Sequence, residues 1–280
     1  MRYNNRKEKD GSERMNILVA INKRYMPYFA AMIRSLAANN AGEHTVYIAT
    51  KEVTDGDIQE YLDQGKLPTN VRFVPVRFND EILKGAKTLK KWPTEVYYRI
   101  FAKDYLPEDV DRILYLDCDM IVKGSIDELY NQPFDGKYFV ATTNIHNRFF
   151  RWFILTKNGA KKGSVYANTG VLLMNLDLLR KEQDTSEVLK YIAKRNWLLT
   201  LPDQDVISGL YGNRVKIVDN TVFNLSEREI RWQKRKKKRT IDEKWVEENA
   251  CILHYLSKNK PWKENYKGIL KPWYDRYKID

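Results

Sequence analysis

The chain has 280 residues, 43% hydrophobic and 12% aromatic, enough to bury a large core and far from compositions that stay disordered. Two cysteines, Cys118 and Cys251, exclude a disulfide framework, leave one bridge open, and fit a reducing compartment. The net charge of +12 calls for an anionic partner, whether nucleic acid, an acidic membrane surface or a phosphorylated substrate.

Residues 1–14 read as a polar, flexible leader without the apolar core of a signal peptide, and no apolar run nears the roughly 20 residues of a membrane span. These features together predict a cytoplasmic protein. A first strand is expected over 17–21. A helix starting near Pro27 follows, with Phe29, Met32, Ile33 and Leu36 on one face and a stop at Asn39-Asn40 and Gly42. Next come a strand over 45–50, a charged helix over 57–64, a strand over 71–76, a helix over 95–105 and a strand over 112–116. Strands over 138–143 and 170–174, helices over 186–195 and 203–211, and a strand over 215–218 complete the series. Strands alternating with helices predict an α/β fold with a mainly parallel sheet covered on both faces. No repeat, no linker within 15–225 and no glycine-rich phosphate loop is present, which argues against dinucleotide oxidoreductases and P-loop enzymes. From Ser226 the composition turns basic and aromatic, so 226–280 stands apart. Its run from Arg231 to Arg239 holds seven positive charges in nine residues, suited to a solvated face or to an anionic surface.

The sharpest local feature is Ile113-Leu114-Tyr115-Leu116-Asp117-Cys118-Asp119, an apolar strand that stops at two carboxylates. Ligands of open α/β sheets sit beyond the carboxyl ends of strands, and carboxylates there can share a divalent cation that binds phosphate oxygens. The bland alternative is one Asp capping the next turn while the other is solvated. A haloacid-dehalogenase-type phosphatase also carries Asp-x-Asp after a strand. That pattern expects Gly or Thr next and a later acidic pair, whereas Met120-Ile121 follow here and no adjacent Asp-Asp pair occurs.

Several further motifs agree with one another: Ala20-x-x-x-x-Tyr25, Tyr97-Tyr98-Arg99, Asn168-Thr169-Gly170-Val171, Asp203-Gln204-Asp205, and His254 with Lys260-Pro261-Trp262. With Tyr115-Leu116-Asp117-Cys118-Asp119 they make the chain, from Ile17 to about Trp262, resemble the family-8 glycosyltransferases, the retaining group that includes glycogenin and lipopolysaccharide galactosyltransferases. The resemblance implies a single GT-A-type nucleotide-diphospho-sugar transferase fold, a Rossmann-like, mainly parallel mixed sheet flanked by helices. It implies a transferase core over 15–225, with the basic aromatic segment 226–280 completing the metal and diphosphate site. The implied activity is a metal-dependent hexosyl transfer, with retention, from UDP-glucose or UDP-galactose to a saccharide or lipid-linked acceptor.

The resemblance also assigns residues. Asp117, Asp119 and His254 match the metal ligands, and a mixed carboxylate and imidazole set favours manganese, with magnesium as the alternative. Arg99, Cys118, Ser257 and Lys260 belong to the donor side, Lys260 matching the lysine that contacts the diphosphate. Ser257 stands where glycine is common in the family. Ala20, Asn22 and Tyr25 occupy the uridine-binding turn, Tyr25 able to stack on the base and Asn22 standing where Asp is common. Asn144, Asn168, Asp203 and Gln204 match sugar contacts, with Gln204 and Asp203 closest to catalysis. Local alternatives are a helix cap for Asp203 and a turn role for Asn168.

A different class, a basic nucleic-acid-binding protein, is suggested by charge alone, but no recognition helix, zinc module or RNA-binding signature supports it. An anionic membrane surface met by 231–239 and the C-terminal aromatics is the more economical use of the charge. It would place the protein peripherally at the inner face of a membrane.

Overall fold

The computed structural model describes residues 14–83 and 93–279; of the expected leader, residues 1–13 lie outside it. Strand β1 (Asn16–Ala20) alternates, with Ile17 and Val19 facing one core and Leu18 the other. Helix α1 (Met26–Asn39) carries Pro27 in its first turn and buries Phe29, Met32, Ile33 and Leu36 against the Ile17 face, as the helical spacing requires. β2 (His44–Thr50) is buried along its whole length, and α2 (Asp55–Asp63) and β3 (Val71–Arg77) follow. α2 starts two residues earlier than expected because Thr54 and Asp57 form a reciprocal capping box.

The single helix expected over 95–105 is three short pieces: α3 (Glu95–Tyr98), a 3-10 turn over Arg99–Phe101, and α4 (Ala102–Tyr105). Val96, Tyr97, Tyr98, Ile100 and Phe101 are weak helix formers. Tyr97 through Ala102 are all buried, so packing on several sides replaces the one-faced pattern of a regular helix.

β4 (Arg112–Leu116) runs into β5 (Met120–Val122), and α5 (Asp127–Tyr130), β6 (Phe139–Thr142), α6 (Arg148–Lys157) and β7 (Asn168–Asn175) come next. α7 (Leu176–Glu182), α8 (Thr185–Arg195), α9 (Pro202–Tyr211) and β8 (Val215–Ile217) complete the main sheet and its cover. The strand order is β3-β2-β1-β4-β7-β6-β8. β7 runs antiparallel to both its neighbours while the other pairings are parallel. From β1 the chain passes to β2 on one side and later to β4 on the other. The crevice between the carboxyl ends of β1 and β4 is therefore a topological switch point, where open α/β sheets bind ligands.

The C-terminal segment forms α10 (Asn220–Phe223), α11 (Glu227–Arg235), α12 (Glu243–Asn249), β9 (Ile252–His254) and α13 (Lys271–Tyr277). It is not set apart in packing. Ile230, Val246, Leu253, Tyr255, Trp273 and Tyr274 share one core with Ala31 of α1 and Ile121 of β5. Trp273 and Tyr274, 4% and 6% exposed, face inward and present no aromatic surface, because α13 needs its apolar side to close this core. Trp262 stacks on Tyr28 with ring centroids 3.7 Å apart. Both cysteines are free thiols, and no described helix is long and apolar enough to cross a membrane.

Candidate active site

The switch-point crevice is a cavity of about 280 Å³ whose walls include Ala20, Asn22, Tyr25, Arg99, Asp117, Cys118, Asp119, Asn168, Gly170, Asp203 and Gln204. β1 supplies Ala20 and leads to Asn22 and Tyr25; β4 leads to Asp117. Because β7 is antiparallel, its first residues, not its last, reach this edge, which brings Asn168 and Gly170 in. The first turn of α9 adds Asp203 and Gln204.

His254 arrives through a small ribbon. β5 and β9 pair antiparallel with Met120 opposite His254, and the Tyr255 amide donates to the Asp119 carbonyl at 3.0 Å. Three ligand atoms, one each from Asp117, Asp119 and His254, lie within 4.8 Å of one another. His254 Nε2 is 3.2 Å from Asp119 Oδ1 and 3.7 Å from Asp117 Oδ2.

The tautomer of His254 follows from a chain of hydrogen bonds that starts at a backbone amide. Gly170 N–H donates to Asn168 Oδ1 at 3.1 Å, so that oxygen is an acceptor. Asn224 Nδ2 donates to the same oxygen at 2.8 Å and to Thr142 Oγ1 at 2.7 Å. The Asn224 oxygen is thereby turned to His254 Nδ1, 2.7 Å away, which must carry the proton. With Nδ1 held as a donor, Nε2 is the ring nitrogen that faces the carboxylates, the orientation a metal-binding imidazole needs. Gly170 fits the same purpose: a Cβ there would stand 2.5 Å from His254 Cε1 and 2.7 Å from Asp117 Oδ2. These residues fit a divalent cation in donor chemistry, tautomer and room.

Arg99, 7% exposed, holds the carboxylates in place. Its guanidinium pairs with Asp117 Oδ1 at 3.0 Å and Asp203 Oδ2 at 3.2 Å, donates to the Thr169 carbonyl at 2.9 Å, and lies 4.0 Å over the Tyr115 ring. Tyr115 in turn donates to Asp117 Oδ1 at 2.8 Å; burial pushes its phenol pKa up, keeping the proton that makes it a donor. Burial works against the charge of Asp119, but His254 and Lys260 outweigh it and hold that carboxyl well below its usual range. Burial raises the Asp203 carboxyl, with Arg99 and the Thr169 hydroxyl opposing. Burial also pushes the Cys118 thiol well up, reinforced by Asp117 and Asp119, so it lines the crevice as a neutral group.

The two acids of Asp203-Gln204-Asp205 divide their work. Asp203 faces Arg99 and Thr169 and is not the helix cap. Asp205 accepts from the Thr200 and Leu201 amides at 2.7 and 3.1 Å and from Asn158 and Tyr166, which makes it structural. Lys260 Nζ pairs with Asp119 Oδ2 and donates to the Tyr255 carbonyl at 2.6 Å. Two expected donor-side residues lie elsewhere. Ser257 is exposed and donates to the Asn259 carbonyl at 2.8 Å within its own turn. Asn144 lines a second cleft and not the switch-point crevice. Asn168 begins a strand, and its side chain also accepts from the Gly170 amide two residues on, the local bond of an Asx turn.

Nothing in the sequence marks Asn224. Its partners come from β6, β7 and β9, and an isolated Asn-Leu-Ser stretch carries no sign of them.

A mixed Rossmann-like sheet with carboxylates at its switch point defines a GT-A-type fold. Among solved structures, the galactosyltransferase LgtC in complex with donor and acceptor sugar analogues superposes with a TM-score of 0.75 at 20% identity, over 94% of this chain and 95% of that one. Residues 16–266 match glycosyl transferase family 8. The chain belongs to that family and is a glycosyltransferase. A lipopolysaccharide 1,2-glucosyltransferase of Escherichia coli is 25% identical over 281 residues, covering 94% of this chain and 80% of that protein. A lipopolysaccharide 1,3-galactosyltransferase of Salmonella typhimurium is 26% identical over 267 residues, covering 93% and 76%.

Proposed function

We propose that the protein moves glucose or galactose from UDP-glucose or UDP-galactose to a saccharide or lipid-linked acceptor of the lipopolysaccharide type, with retention and with manganese as cofactor, magnesium being the alternative. The observation that carries the reading is the cluster of Asp117, Asp119 and His254 at the switch point, with His254 Nε2 turned to the carboxylates because Asn224 holds Nδ1. These three residues would hold the ion, which supplies positive charge to offset that developing on the leaving diphosphate.

The other assignments rest on position. Tyr25, 42% exposed at the mouth, offers a ring face to uracil, and the buried, unpartnered Asn22 Oδ1 offers an acceptor to the base. Lys260, paired with Asp119, is the cation we assign to the diphosphate. Asp203 is fixed through Oδ2, which leaves Oδ1 for a sugar hydroxyl. The Gln204 side chain lines the crevice and takes part in no described hydrogen bond. An amide is a poor nucleophile, so we assign Gln204 to stabilising the oxocarbenium face while the leaving phosphate assists the incoming hydroxyl. Retention then needs no enzymic nucleophile.

A second reading, contact with an anionic membrane at its inner face, is favoured by one observation that moves its aromatic part. Phe149, Phe150, Trp152 and Phe153 on α6, with Trp197, are all at least half exposed. Arg148, Arg151 and Lys157 share that helix, a mixture suited to a headgroup layer. The basic run remains available, since residues 234 to 239 are exposed.

The test is a panel of nucleotide-sugars with manganese, followed by nucleotide release, with Asp119→Ala as control. Release from a UDP-hexose by the parent and its loss in the variant are expected. Equal release by both proteins would overturn the metal assignment.

A further inference from the structure

A second and larger cleft, about 530 Å³, lies at the same edge of the sheet, two strands over from β4. It opens at the carboxyl end of β6, which runs parallel to β4's direction across the intervening β7. Its floor holds Asn144 and Ser226, the latter two residues from the Asn224 that orients His254. One wall is the start of α6 with Phe150; the other is α11, whose Arg228, Arg231 and Arg235 all line the space. Spaced by three and four residues, these arginines share one helix face.

Among the described residues none of the three guanidiniums makes an ion pair or hydrogen bond, although this protein pairs other arginines closely, as at Arg99 and Arg214. The acid between them does not neutralise them by contact. Glu229 is 4% exposed; its Oε2 is taken by His146 Nε2 at 2.7 Å and Asn220 Nδ2 at 2.9 Å, and its Oε1 by Gln233 Nε2 at 2.8 Å. His146 also stacks on Trp232 with ring centroids 3.6 Å apart, which fixes the wall from which Arg228 and Arg231 project. Asn144 Oδ1 is buried without a partner, a group that calls for a donor from outside. The half-exposed Phe150 ring adds an apolar edge.

We propose that this cleft is the acceptor-side subsite for a phosphorylated saccharide. The arginines take the phosphate monoester, Asn144 Oδ1 accepts a sugar hydroxyl, and Phe150 meets the sugar's C–H face. A phosphate monoester carries nearly two charges and three acceptor oxygens, which matches a row of forked donors. The inference rests on the glycosyltransferase reading above, which places an acceptor sugar beside the donor crevice.

The experiment titrates the whole protein with glucose 6-phosphate, glucose and inorganic phosphate, reading the Trp232 indole N–H by NMR. Glucose 6-phosphate is expected to bind at least about tenfold more tightly than either other probe. The Arg228→Gln/Arg231→Gln protein should lose about tenfold or more, while the Arg228→Lys/Arg231→Lys protein keeps more of it. Neither pair of changes should alter acceptor-free hydrolysis of the UDP-hexose. Equal binding of glucose and its phosphate, equal binding of inorganic phosphate, or indifference to the Gln changes would each overturn the proposal. A vesicle arm separates the other source of phosphate: pelleting with phosphatidylglycerol vesicles that needs Arg228 and Arg231, without glucose 6-phosphate binding, would assign the cleft to lipid headgroups and overturn it too. Failure of these titrations with UDP-hexose hydrolysis intact sinks this inference alone, whereas absent hydrolysis in the parent sinks the UDP-hexose donor reading on which it rests.

Discussion

Gly170 concentrates the demands of the site at one residue. The van der Waals room for His254 and Asp117 exists because that position has no side chain, and its amide begins the hydrogen-bond chain that fixes the imidazole. Gly170→Ala should keep the fold by circular dichroism and weaken manganese binding on the order of 10–100-fold, the range for disturbed supporting groups around a metal. Calorimetric titration showing unchanged affinity would place the ligands elsewhere. At this scale the sequence was legible where chemistry is written in neighbouring residues. Asp117 and Asp119 stood out because an apolar strand rarely ends on two carboxylates. His254 was reached through resemblance, since a lone His after a short apolar run has no local mark. Asn224 was not reached, because its meaning lies in the acceptor state of an oxygen on another strand. Asn144 and Ser257 come from alignment of pattern; Ser257 bonds within its own turn and Asn144 lines the second cleft.

Among the elements, the β5–β9 ribbon does most to build the site and was least visible. Three residues a strand give too short a run for periodicity to register, and the pairing joins segments far apart in sequence. Leu253, fully buried at its centre beside Ile121, is its test. Leu253→Ala should cost about 2–5 kcal/mol in urea unfolding and weaken manganese binding as well, because the same backbone carries His254. A loss of stability with metal affinity intact would mean that the ribbon does not position the ligand. The parallel strands and α1 were legible because their burial is regular. α6 was not, since none of its residues is buried, so no apolar stripe distinguishes it. The N-terminus of α11 was available to be read: Ser226 caps the Glu229 amide, and Ser-x-x-Glu is a capping signature that the charge run obscured.

Over the whole molecule, the +12 net charge and the distribution of exposed aromatics can be tested together. If α6 and Trp197 meet the membrane, vesicles with phosphatidylglycerol should pellet the protein and neutral phosphatidylcholine vesicles should not. Trp152→Ser/Trp197→Ser should reduce pelleting several-fold without changing nucleotide release. Added salt should weaken the charged part of the attraction, since about 10 Å is the screening length at 0.1 M. Pelleting that ignores both changes would leave the aromatic surface without this role.

The reach of the ribbon has a consequence for biosynthesis. Asp119 and its partner Lys260 are 141 residues apart in the chain, so at ~5–20 residues per second a ribosome takes roughly 7–30 s to pass from one to the other. Throughout that interval the carboxylates can be made and the sheet can begin to form, but the imidazole and lysine do not yet exist. A nascent chain is therefore unable to bring the carboxylates, the imidazole and the lysine together until β9 and the turn after it have been made, so this cluster is assembled late.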